Sequence, residues 1–588
     1  MPVKDVRRGM KGYGLTVFEG TRPEKFDVEV IGVLDNFQPR QELILIKTKH
    51  PRLDVAKVVA GMSGSPIYLQ GKMVGAYAYG WTFGKEPVAG VTPIRSMLDD
   101  LVRPLPKEIN GWPLRPLPKR ADRRRASLRP SSTNRFAGPL LQYDLRQHAR
   151  QVAQAKRQQM PGLDSPVRPV ATPLLIGGMT PGAIDAAREL FVPLGLEPLQ
   201  AGGSGGTEPD APRRFVAGGA LGVQLIRGDM SGTGLGTVTR VEGDKLVGFG
   251  HPMMQAGVTA MPTAVGRILW FMASQMRSFK IGMPVRPVGA LIEDRLASVV
   301  VSHSVQAPVI PVHLQIKGVP GAPHPRWDFE IAHDKFATPA FLALALGNAL
   351  QATAAENQDV SWNAVSRLKI RGQPELTLED FGVSVGGTPD PQQFARSNLV
   401  RAVGALLNNP WEPVVVESVE TEMELRFDRE VLRLRGAEVL EPEIEAGQPA
   451  RIRLTLLPYA GEPITQVVTV PIPEHYAGQE LSLEIQPGHE VEKDKAAPER
   501  FDALVRNLED TIYPPKSVVI SYTTGATAVS YRGQVARNLP PGAADTIQPT
   551  TSSVAPAPFQ SQARYVVMLD EFMIGEDRVS VSVKPILR

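Results

Sequence analysis

Short apolar runs, separated by turns rich in glycine and proline, recur along most of this 588-residue chain. Residues 26–34 alternate and then become continuously apolar, and residues 43–46 form a run typical of a buried strand. The chain has 54 glycines and 54 prolines, which is above average usage but below that of low-complexity chains. We therefore predict a mainly β fold with α+β portions and with well-formed hydrophobic cores.

Changes in composition divide the chain into five predicted segments. At about 150 residues per domain, a chain of this length holds three or four domains. The segments are a β-rich region at 1–102, a basic, proline-rich linker at 103–165, a β region with a small β-α element at 166–335, a helical segment at 336–410, and an immunoglobulin-like β-sandwich at 411–588 with a mobile insertion near 538–562. Strands of alternating hydrophobicity between proline and glycine turns indicate the sandwich.

Helices are predicted at few places. In the β-α element, Thr180 is placed to cap a helix that begins at Pro181, after a strand at 173–176. Further helices are predicted at 93–101, 144–160, 268–279, 341–350 and 397–407. The apolar run at 341–350 is too short to span a membrane, so we predict a buried helix there and no transmembrane segment.

Several chemistries lack the residues or motifs that they need. The chain has no cysteine, which excludes disulfides, thiolate zinc sites and cysteine nucleophiles. No nucleotide-binding or metal-binding motif occurs, so we predict no cofactor and no metal. The net charge of +4 is too balanced for a dedicated nucleic-acid-binding protein.

The predicted linker contains a strongly basic stretch. Residues 119–135 carry seven basic residues against one acidic residue, Asp122. We interpret this stretch as a solvated and mostly disordered tether. A contact with an anionic surface, such as lipid headgroups or nucleic acid, is the alternative.

The sharpest local motif is Gly61-Met-Ser-Gly-Ser-Pro66. A serine between two glycines allows a tight turn that exposes the hydroxyl and directs the amides of Gly61 and Ser63 at one point. Two such amides can form an oxyanion hole for acyl transfer. A plain glycine-serine turn is the alternative interpretation.

A serine nucleophile needs a general base, and His251 is the candidate. It follows an apolar strand within Gly248-Phe-Gly-His-Pro252, where paired glycines permit a close backbone approach. The other eight histidines lack a comparable context. An isolated turn with a structural histidine is the alternative.

Both segments resemble the SpoIVB peptidase family, which consists of serine peptidases of chymotrypsin-like type. Around the serine the similarity runs from Glu19-Gly20 through residues 26–30 to residues 61–67 and 71–76. Around the histidine it starts at Asp229, includes residues 234–239 and 248–251, and continues more weakly to residues 285–289. The resemblance implies a two-barrel peptidase domain assembled from 1–102 and 166–335, with Ser63 as nucleophile and His251 as general base. It also implies a substrate pocket at Tyr77, Tyr79 and Trp81.

The chain departs from this family in two respects. The family has its histidine segment first, whereas here Ser63 precedes His251, so the two halves are in permuted order. The family also has an Asp-Pro upstream of its serine as the proposed third triad member, and this chain has His50-Pro51. Because a carboxylate normally fixes the histidine tautomer, we consider Asp54 and Asp229 as substitutes. His50 is alternatively an additional imidazole near the site.

We predict a serine endopeptidase that cleaves polypeptides through an acyl-enzyme. The alternative is a catalytically inactive, peptidase-like scaffold that binds a partner at the cell envelope, which the missing Asp-Pro favours. The resemblance implies export or an envelope, periplasmic location. The N-terminus has no apolar stretch, so we expect no signal peptide within this chain, and a cytoplasmic location stays open.

Overall fold

The structure is a computed structural model. It describes residues 1–38, 41–81, 84–104, 108–109, 111–113, 135–159, 167–202, 207–354, 359–385, 389–427, 431–459, 461–509, 511–524, 528–531, 534–537, 539–540, 542–543, 546 and 557–585. The fold is mainly β, as the sequence predicts.

The N-terminal region forms a closed, six-stranded barrel, which we call the first ring. Its strands pair in the order β6-β5-β1-β2-β3-β7, and β7 pairs with β6 to close the barrel. Two helices flank the strands, α1 at Pro51–Ala56 and α2 at Ile94–Leu101. The strands of this region are β1 Lys11–Thr16, β2 Glu24–Gln38, β3 Gln41–Lys49, β4 Val59–Ala60, β5 Pro66–Leu69, β6 Lys72–Trp81 and β7 Val88–Pro93.

The predicted linker contributes ordered elements where the structure describes it. A short hairpin is formed by β8 Glu108–Ile109 and β9 Trp112–Pro113. The predicted helix at 144–160 is present as α3, Leu145–Gln159, and its residues Leu145 and His148 are fully buried. Helix α3 therefore packs into the largest core of the protein. Residues 114–134, which hold most of the basic stretch, and Met160 lie outside the described residues.

A second set of six strands also closes on itself, and we call it the second ring. Its pairing order is β14-β15-β18-β17-β16-β13, with β13 pairing β14. Strand β4 joins this sheet by pairing with β17. The elements of the region are β10 Val167–Pro169, β11 Thr172–Gly177, α4 Pro181–Phe191, β12 Leu196–Gln200, β13 Ala220–Gly228, β14 Ser231–Glu242, β15 Lys245–Gly248, β16 Gly257–Met272, β17 Ser278–Asp294 and β18 Val299–Ser302.

The β-α element is confirmed. Strand β11 leads to α4, Thr180 is the N-cap, and its Oγ1 accepts a hydrogen bond from the amide of Ala183 at 3.3 Å. Pro181 occupies the first turn, where its missing N–H costs no intrahelical bond.

The helix predicted at 268–279 is wrong, because these residues end β16 and begin β17. A β-bulge between Ile268 and Trp270 interrupts the alternation. Ile268 and Phe271 consequently share the buried side, although they are three residues apart, while Leu269, Trp270 and Met272 are exposed. Apolar residues at this spacing imitate the periodicity of a helix.

The segment at 336–410 contains the two predicted helices and a hairpin that was not predicted. Helix α5 is buried from Ala337 to Leu350, and Ser397 caps α6. Strands β21 and β22 lie between them and pair with each other, and β21 also pairs with β23 in the extended sheet of the second ring. The bounds are β19 Val309–Lys317, β20 Arg326–Ala332, α5 Ala337–Thr353, β21 Val360–Ile370, β22 Leu376–Ser384, α6 Asn398–Asn408 and β23 Val416–Arg426.

The C-terminal region contains two sheets that share one hydrophobic core. Their orders are β27-β26-β24-β34 and β25-β35-β28-β29-β33, and the pairs β24–β34 and β25–β35 are parallel. Most of the predicted insertion at 538–562 lies outside the described residues. The bounds are β24 Val431–Val439, β25 Glu443–Ile444, β26 Ala450–Pro458, β27 Ile464–Val470, β28 Glu480–Pro487, α7 Phe501–Leu508, β29 Ser517–Thr523, β30 Val529–Tyr531, β31 Gln534–Ala536, β32 Ala557–Pro558, β33 Gln562–Met568, β34 Phe572–Ile574 and β35 Asp577–Val583.

Short 3-10 turns connect several of these elements. They lie at Val3–Asp5, Leu140–Gln142, Val192–Leu194, Pro391–Arg396, Glu474–Tyr476 and Gly488–Glu490. Among the helices in the described ranges, none is both long enough and apolar enough to cross a bilayer.

Candidate active site

The loop that carries Ser63 connects β4 to β5 and depends on two glycines. Gly61 and Gly64 adopt φ values of +91° and +96°, a region that favours glycine. A Cβ at Gly64 would lie 1.9 Å from the carbonyl oxygen of Thr237. The glycine at 64 is therefore required both by the backbone conformation and by the close approach of a second strand.

Strand β14 of the second ring holds this loop through its backbone and side chains. The Thr237 amide donates to the Ser63 carbonyl at 2.8 Å, and Thr237 Oγ1 donates to the Gly61 carbonyl at 3.0 Å. Thr239 Oγ1 donates to the Gly64 carbonyl at 2.7 Å. These threonines belong to the 234–239 segment, so the structure brings together the two regions that the sequence analysis assigned to one domain.

The first ring holds the loop from the other side. The Gly64 amide donates to the carbonyl of Tyr77 on β6 at 2.8 Å, and the Tyr77 amide donates to the Ser65 carbonyl at 2.9 Å. Within the loop, Ser65 Oγ donates to the Met62 carbonyl at 2.6 Å. The loop consequently lies between the two rings, and both rings fix its conformation.

The Ser63 side chain is fully buried, with 0% of its surface exposed. Its Oγ has no hydrogen-bond partner among the described residues. Within the same ranges, the Ser63 amide has no backbone acceptor either. A buried hydroxyl and amide without partners are unusual, because leaving such groups unpaired costs free energy.

His251 lies in the loop after β15, and this loop contacts the same strand residue as the serine loop. Phe249 and Gly250 adopt φ values of +66° and +71°. The Phe249 amide donates to the Thr237 carbonyl at 3.2 Å, and Thr92 Oγ1 donates to the Gly250 carbonyl at 2.6 Å. The serine and histidine loops therefore both hydrogen-bond to the backbone of Thr237.

The His251 imidazole is buried, and the backbones of Pro252 and Val170 both interact with it in the sense that raises its pKa. Its Nδ1 lies 2.9 Å from the Pro252 carbonyl oxygen, whereas Nε2 has no hydrogen-bond partner in the described part of the chain. Because a carbonyl only accepts, Nδ1 carries the proton of the neutral ring and Nε2 keeps its lone pair. Burial, with a smaller contribution from the Lys156 charge, lowers the pKa of His251 to about 4, so the ring is neutral at pH 7.

The predicted acids do not reach His251. Asp54 is exposed on α1, and Asp229 Oδ2 accepts from the Asp328 amide at 2.7 Å and lies 3.4 Å from His324 Nε2. Neither carboxylate contacts His251 in the ranges that the structure describes. The substitution of either acid for the family's Asp-Pro is thus not supported by the geometry.

His50 has a local structural role. Its Nδ1 accepts from the Arg52 amide at 3.2 Å and caps α1, and its ring stacks on Phe18 at 4.0 Å between centroids. Burial lowers the pKa of His50. None of the contacts described for His50 involves Ser63 or His251.

Two charged residues that the sequence analysis did not single out hold the histidine loop. The Asp294 carboxylate accepts from the amides of Met253 at 2.8 Å, Met254 at 2.7 Å and Ala256 at 3.1 Å. Lys156 Nζ donates to the carbonyls of Met253, at 2.9 Å, and Leu194. No sequence motif marks either residue, because Asp294 ends a long strand and Lys156 lies in a polar helix.

A third unpredicted residue, Lys280, lies beside the serine loop. The parallel register of β4 and β17, which aligns Ala60 with Phe279, places Lys280 next to Gly61. The Lys280 side chain is fully buried, and Nζ donates to Thr16 Oγ1 at 2.7 Å. Burial lowers the pKa of Lys280 to about 7.

The predicted pocket residues divide into two groups. Tyr77 and Tyr79 are 1% and 3% exposed and are core residues rather than the lining of an open pocket. Strand β6, which carries both rings, is buried on both of its faces over residues 74–80. Trp81 differs, because it lines a cleft of about 550 Å³ together with residues 55–58 and the hairpin tip at 273–278. This cleft adjoins β4, the strand that leads into the serine loop.

The described residues contain no group of three or more His, Asp or Glu side chains that could hold a metal ion. The site contains a serine hydroxyl, a neutral imidazole and the Ser63 amide, for which the described residues supply no backbone acceptor. These groups suit nucleophilic acyl transfer.

Comparison with known proteins agrees with this chemistry. Residues 3–97 match the family model described as SpoIVB peptidase S55, and these residues include the first ring and Ser63. Comparisons with curated proteins and with solved structures give no significant match. The match supports a SpoIVB-type serine peptidase relationship for the segment that carries Ser63, and it supports serine peptidase activity and polypeptide substrates in general terms.

Proposed function

We propose that the protein is a serine endopeptidase in which Ser63 is the nucleophile and His251 the general base. Ser63 Oγ attacks the peptide carbonyl carbon while its proton passes to His251 Nε2. The amides of Gly61 and Ser63 stabilise the oxyanion. The imidazolium then gives the proton to the leaving amine as the C–N bond breaks, and water hydrolyses the acyl-enzyme by the reverse sequence of proton transfers.

One observation carries this proposal. Ser63 Oγ and His251 Nε2 are both buried and both without a hydrogen-bond partner in the described structure, and their loops both hydrogen-bond to the backbone of Thr237. The Nδ1 contact with the Pro252 carbonyl leaves the lone pair on Nε2, which is the tautomer that a general base needs. Catalytic hydrogen bonds often tighten only when substrate is bound, so the unpaired state is compatible with a nucleophile and its base.

The arrangement of strands supports the same proposal. The first ring and the second ring would be the two barrels of a chymotrypsin-like domain, assembled from 1–102 and 166–335 in permuted order. Triads are defined by geometry and not by chain order, so the permutation does not prevent catalysis. We further propose that the two C-terminal sheets form an immunoglobulin-like sandwich.

Substrate would enter along the cleft at Trp81. Because Ser63 is fully buried, the reaction requires that the chain between this cleft and Ser63 opens. An extended polypeptide fits a cleft that borders a short strand, since its backbone can pair with the strand and its side chains can contact Trp81.

The test is labelling by a fluorophosphonate probe, which reacts with activated serines. We expect the wild-type protein to be labelled and the Ser63→Ala and His251→Ala variants to lose labelling. His475→Ala, on an exposed turn of the C-terminal region, is the matched control and should label normally. Labelling of Ser63→Ala at the wild-type rate would contradict the assignment of the nucleophile.

A catalytically inactive scaffold that binds an envelope partner is the second candidate. The observation that favours it is that no carboxylate contacts the His251 ring in the described ranges. Under this alternative, the probe would not label the protein and a panel of unstructured polypeptides would not be hydrolysed under any condition. Ser63→Ala would leave partner binding intact.

We also propose an exported or envelope location, with the basic stretch at 119–135 in contact with an anionic surface. The support is the seven basic residues of the stretch, which can be attracted by anionic lipid headgroups. Binding to phosphatidylglycerol vesicles and not to phosphatidylcholine vesicles, lost when the stretch is neutralised, would be the expected result. Equal binding to both vesicles would contradict it.

A further inference from the structure

We infer that Asp294 and Lys156 are the positioning residues of His251, and that together they replace the missing triad carboxylate by holding the backbone of the histidine loop. The inference concerns the conformation of residues 249–256, and its catalytic meaning rests on the proposed function.

The backbone around His251 adopts conformations that need external support. Phe249 and Gln255 have φ values of +66° and +63°, which are uncommon for residues with a side chain. Each such residue costs about 1–3 kcal/mol and persists where the surroundings determine it strongly. His251 lies between these two positions, so its orientation depends on whatever holds the loop.

Asp294 supplies one part of this support. Its carboxylate accepts three backbone amides, those of Met253, Met254 and Ala256, at 2.7 to 3.1 Å. Asp294 is only 1% exposed, so water does not compete for these hydrogen bonds. Hydrogen bonds from amides to a carboxylate are roughly twice as strong as those between neutral groups.

Lys156 supplies the other part, from a different element. Its Nζ donates to the Met253 carbonyl at 2.9 Å and also to the Leu194 carbonyl. Residue 253 is thus held at its amide by an anion and at its carbonyl by a cation, two residues after His251. Helix α3, which the sequence analysis placed in a linker, consequently reaches the proposed catalytic loop.

The charges of Asp294 and Lys156 also compensate each other. Asp294 and Lys156 are both buried, and a buried charge without compensation is costly. Burial raises the pKa of Asp294 and lowers that of Lys156 to about 8, while each charge stabilises the other across the loop. Besides these two, the charged or titratable group at this loop in the described structure is His251 itself.

The test compares Asp294→Asn and Lys156→Met with wild type in the full-length protein. Asp244→Asn, which removes the charge of a carboxylate that accepts from Ser302 and Ser304, is the matched control. For peptide hydrolysis we expect kcat to fall at least tenfold in both variants, with KM changed less than threefold. The control should retain the wild-type values.

A second measurement does not depend on activity. With ¹⁵N-labelled histidine, and with His251→Gln to assign the resonances, the wild-type His251 ring should show the Nδ1-protonated tautomer at pH 7. In Asp294→Asn and Lys156→Met the two ring nitrogen shifts should move toward each other, because a loosened ring exchanges between tautomers. Lys156→Arg, which keeps the cation, should restore most of the wild-type spectrum.

The outcomes separate the inference from the proposed function. If wild type neither hydrolyses peptides nor reacts with the probe, the proposed function fails, and the nitrogen shifts alone decide the positioning role. Folded Asp294→Asn with unchanged kcat and unchanged His251 resonances overturns the inference. If Asp294→Asn does not fold, the Lys156 variants decide it in the same way, since Lys156 lies on a separate helix.

Discussion

The amide of Thr237 donates a hydrogen bond to the carbonyl of Ser63 at 2.8 Å, although Thr237 belongs to the second ring and Ser63 adjoins the first. The position of the proposed nucleophile is therefore set by a strand that is remote from it in the sequence. The carbonyl of the same threonine accepts from Phe249, which leads into His251. The backbone of this one residue thus relates the two loops, so we expect mutations around it to affect catalysis.

Thr237→Val removes one bond to the serine loop and keeps the backbone contacts. The lost bond runs from Oγ1 to the Gly61 carbonyl, so we expect a loss of about 1 kcal/mol in the free energy of unfolding. The fluorophosphonate labelling rate should fall about tenfold because Gly61 shifts. Thr48→Val is the control, since Thr48 is also buried and its Oγ1 donates to the Pro87 carbonyl away from the site. It should lose similar stability and keep its labelling rate, and equal labelling of both variants would refute the prediction.

Gly64→Ala should disrupt the serine loop. The added Cβ would lie 1.9 Å from the Thr237 oxygen and 2.5 Å from the Phe249 nitrogen, and both atoms belong to the backbone. We expect a destabilisation above about 4 kcal/mol, measured by thermal unfolding, or a loss of soluble protein. Gly71→Ala has a similar φ of +73° but no neighbouring atom within 4 Å, and should cost only about 1–2 kcal/mol. Similar losses in the two variants would contradict the tight contact between the rings.

Lys280→Met should change how stability depends on pH. Burial lowers the pKa of Lys280 to about 7 in the folded protein from the ordinary value of 10.5, so between these values the unfolded chain binds more protons. The wild-type free energy of unfolding should therefore rise with pH in this window, by up to about 1.4 kcal/mol per pH unit from this residue. Denaturant unfolding from pH 7 to 10 should show a smaller slope in Lys280→Met. An unchanged slope would mean that Lys280 does not lose its proton in the folded state.

His50→Asp restores the Asp-Pro of the family without restoring a triad. Aspartate is a good N-cap, so α1 should keep its stability to within about 1 kcal/mol. The labelling rate of Ser63 should not rise, because His50 contacts Phe18 and Arg52 and not the proposed base. A large increase in labelling would show that this position serves as the acid after all.

Trp81→Ala should weaken substrate binding more than chemistry. Trp81 lines the cleft beside β4, while the Ser63 and His251 contacts involve other residues. We expect KM for peptides to rise about three- to tenfold with kcat changed less than twofold, which is the signature of lost ground-state binding. Trp411→Ala, in a separate surface cavity, is the control. A fall in kcat alone would place Trp81 in the catalytic step instead.

The sequence could predict the parts of the site that depend on local backbone demands. Gly61 and Gly64 indicate a turn with positive φ, and Thr180-Pro181 indicates the start of a helix. In both cases the local backbone conformation favours these residue types. The helix predicted at 268–279 failed because a bulge at Ile268 shifted the alternation of β16. A prediction from hydrophobicity depends on the period at which apolar residues recur. A bulge changes this period without any change in composition.

The groups that hold His251 were beyond sequence reasoning. Lys156 sits in a polar helix that looks solvated, and its burial follows from packing against strands far away in the chain. Asp294 is one carboxylate among many, and its three amide partners exist only once the 253–256 turn has formed. Asp54 and Asp229 lie near the serine and histidine motifs in the sequence, but proximity in sequence says little about proximity across a β fold.

The bond between Thr237 and the Gly61 carbonyl spans 176 residues, and this separation has a consequence during synthesis. The nascent chain presents Ser63 to the cell long before Thr237, Thr239 and His251 leave the ribosome. Until then the serine turn lacks its three hydrogen bonds from Thr237 and Thr239 and the proposed base, so the proposed active site is incomplete on the translating ribosome. Completion of the proposed site must therefore wait until at least the first 251 of the 588 residues have been synthesised.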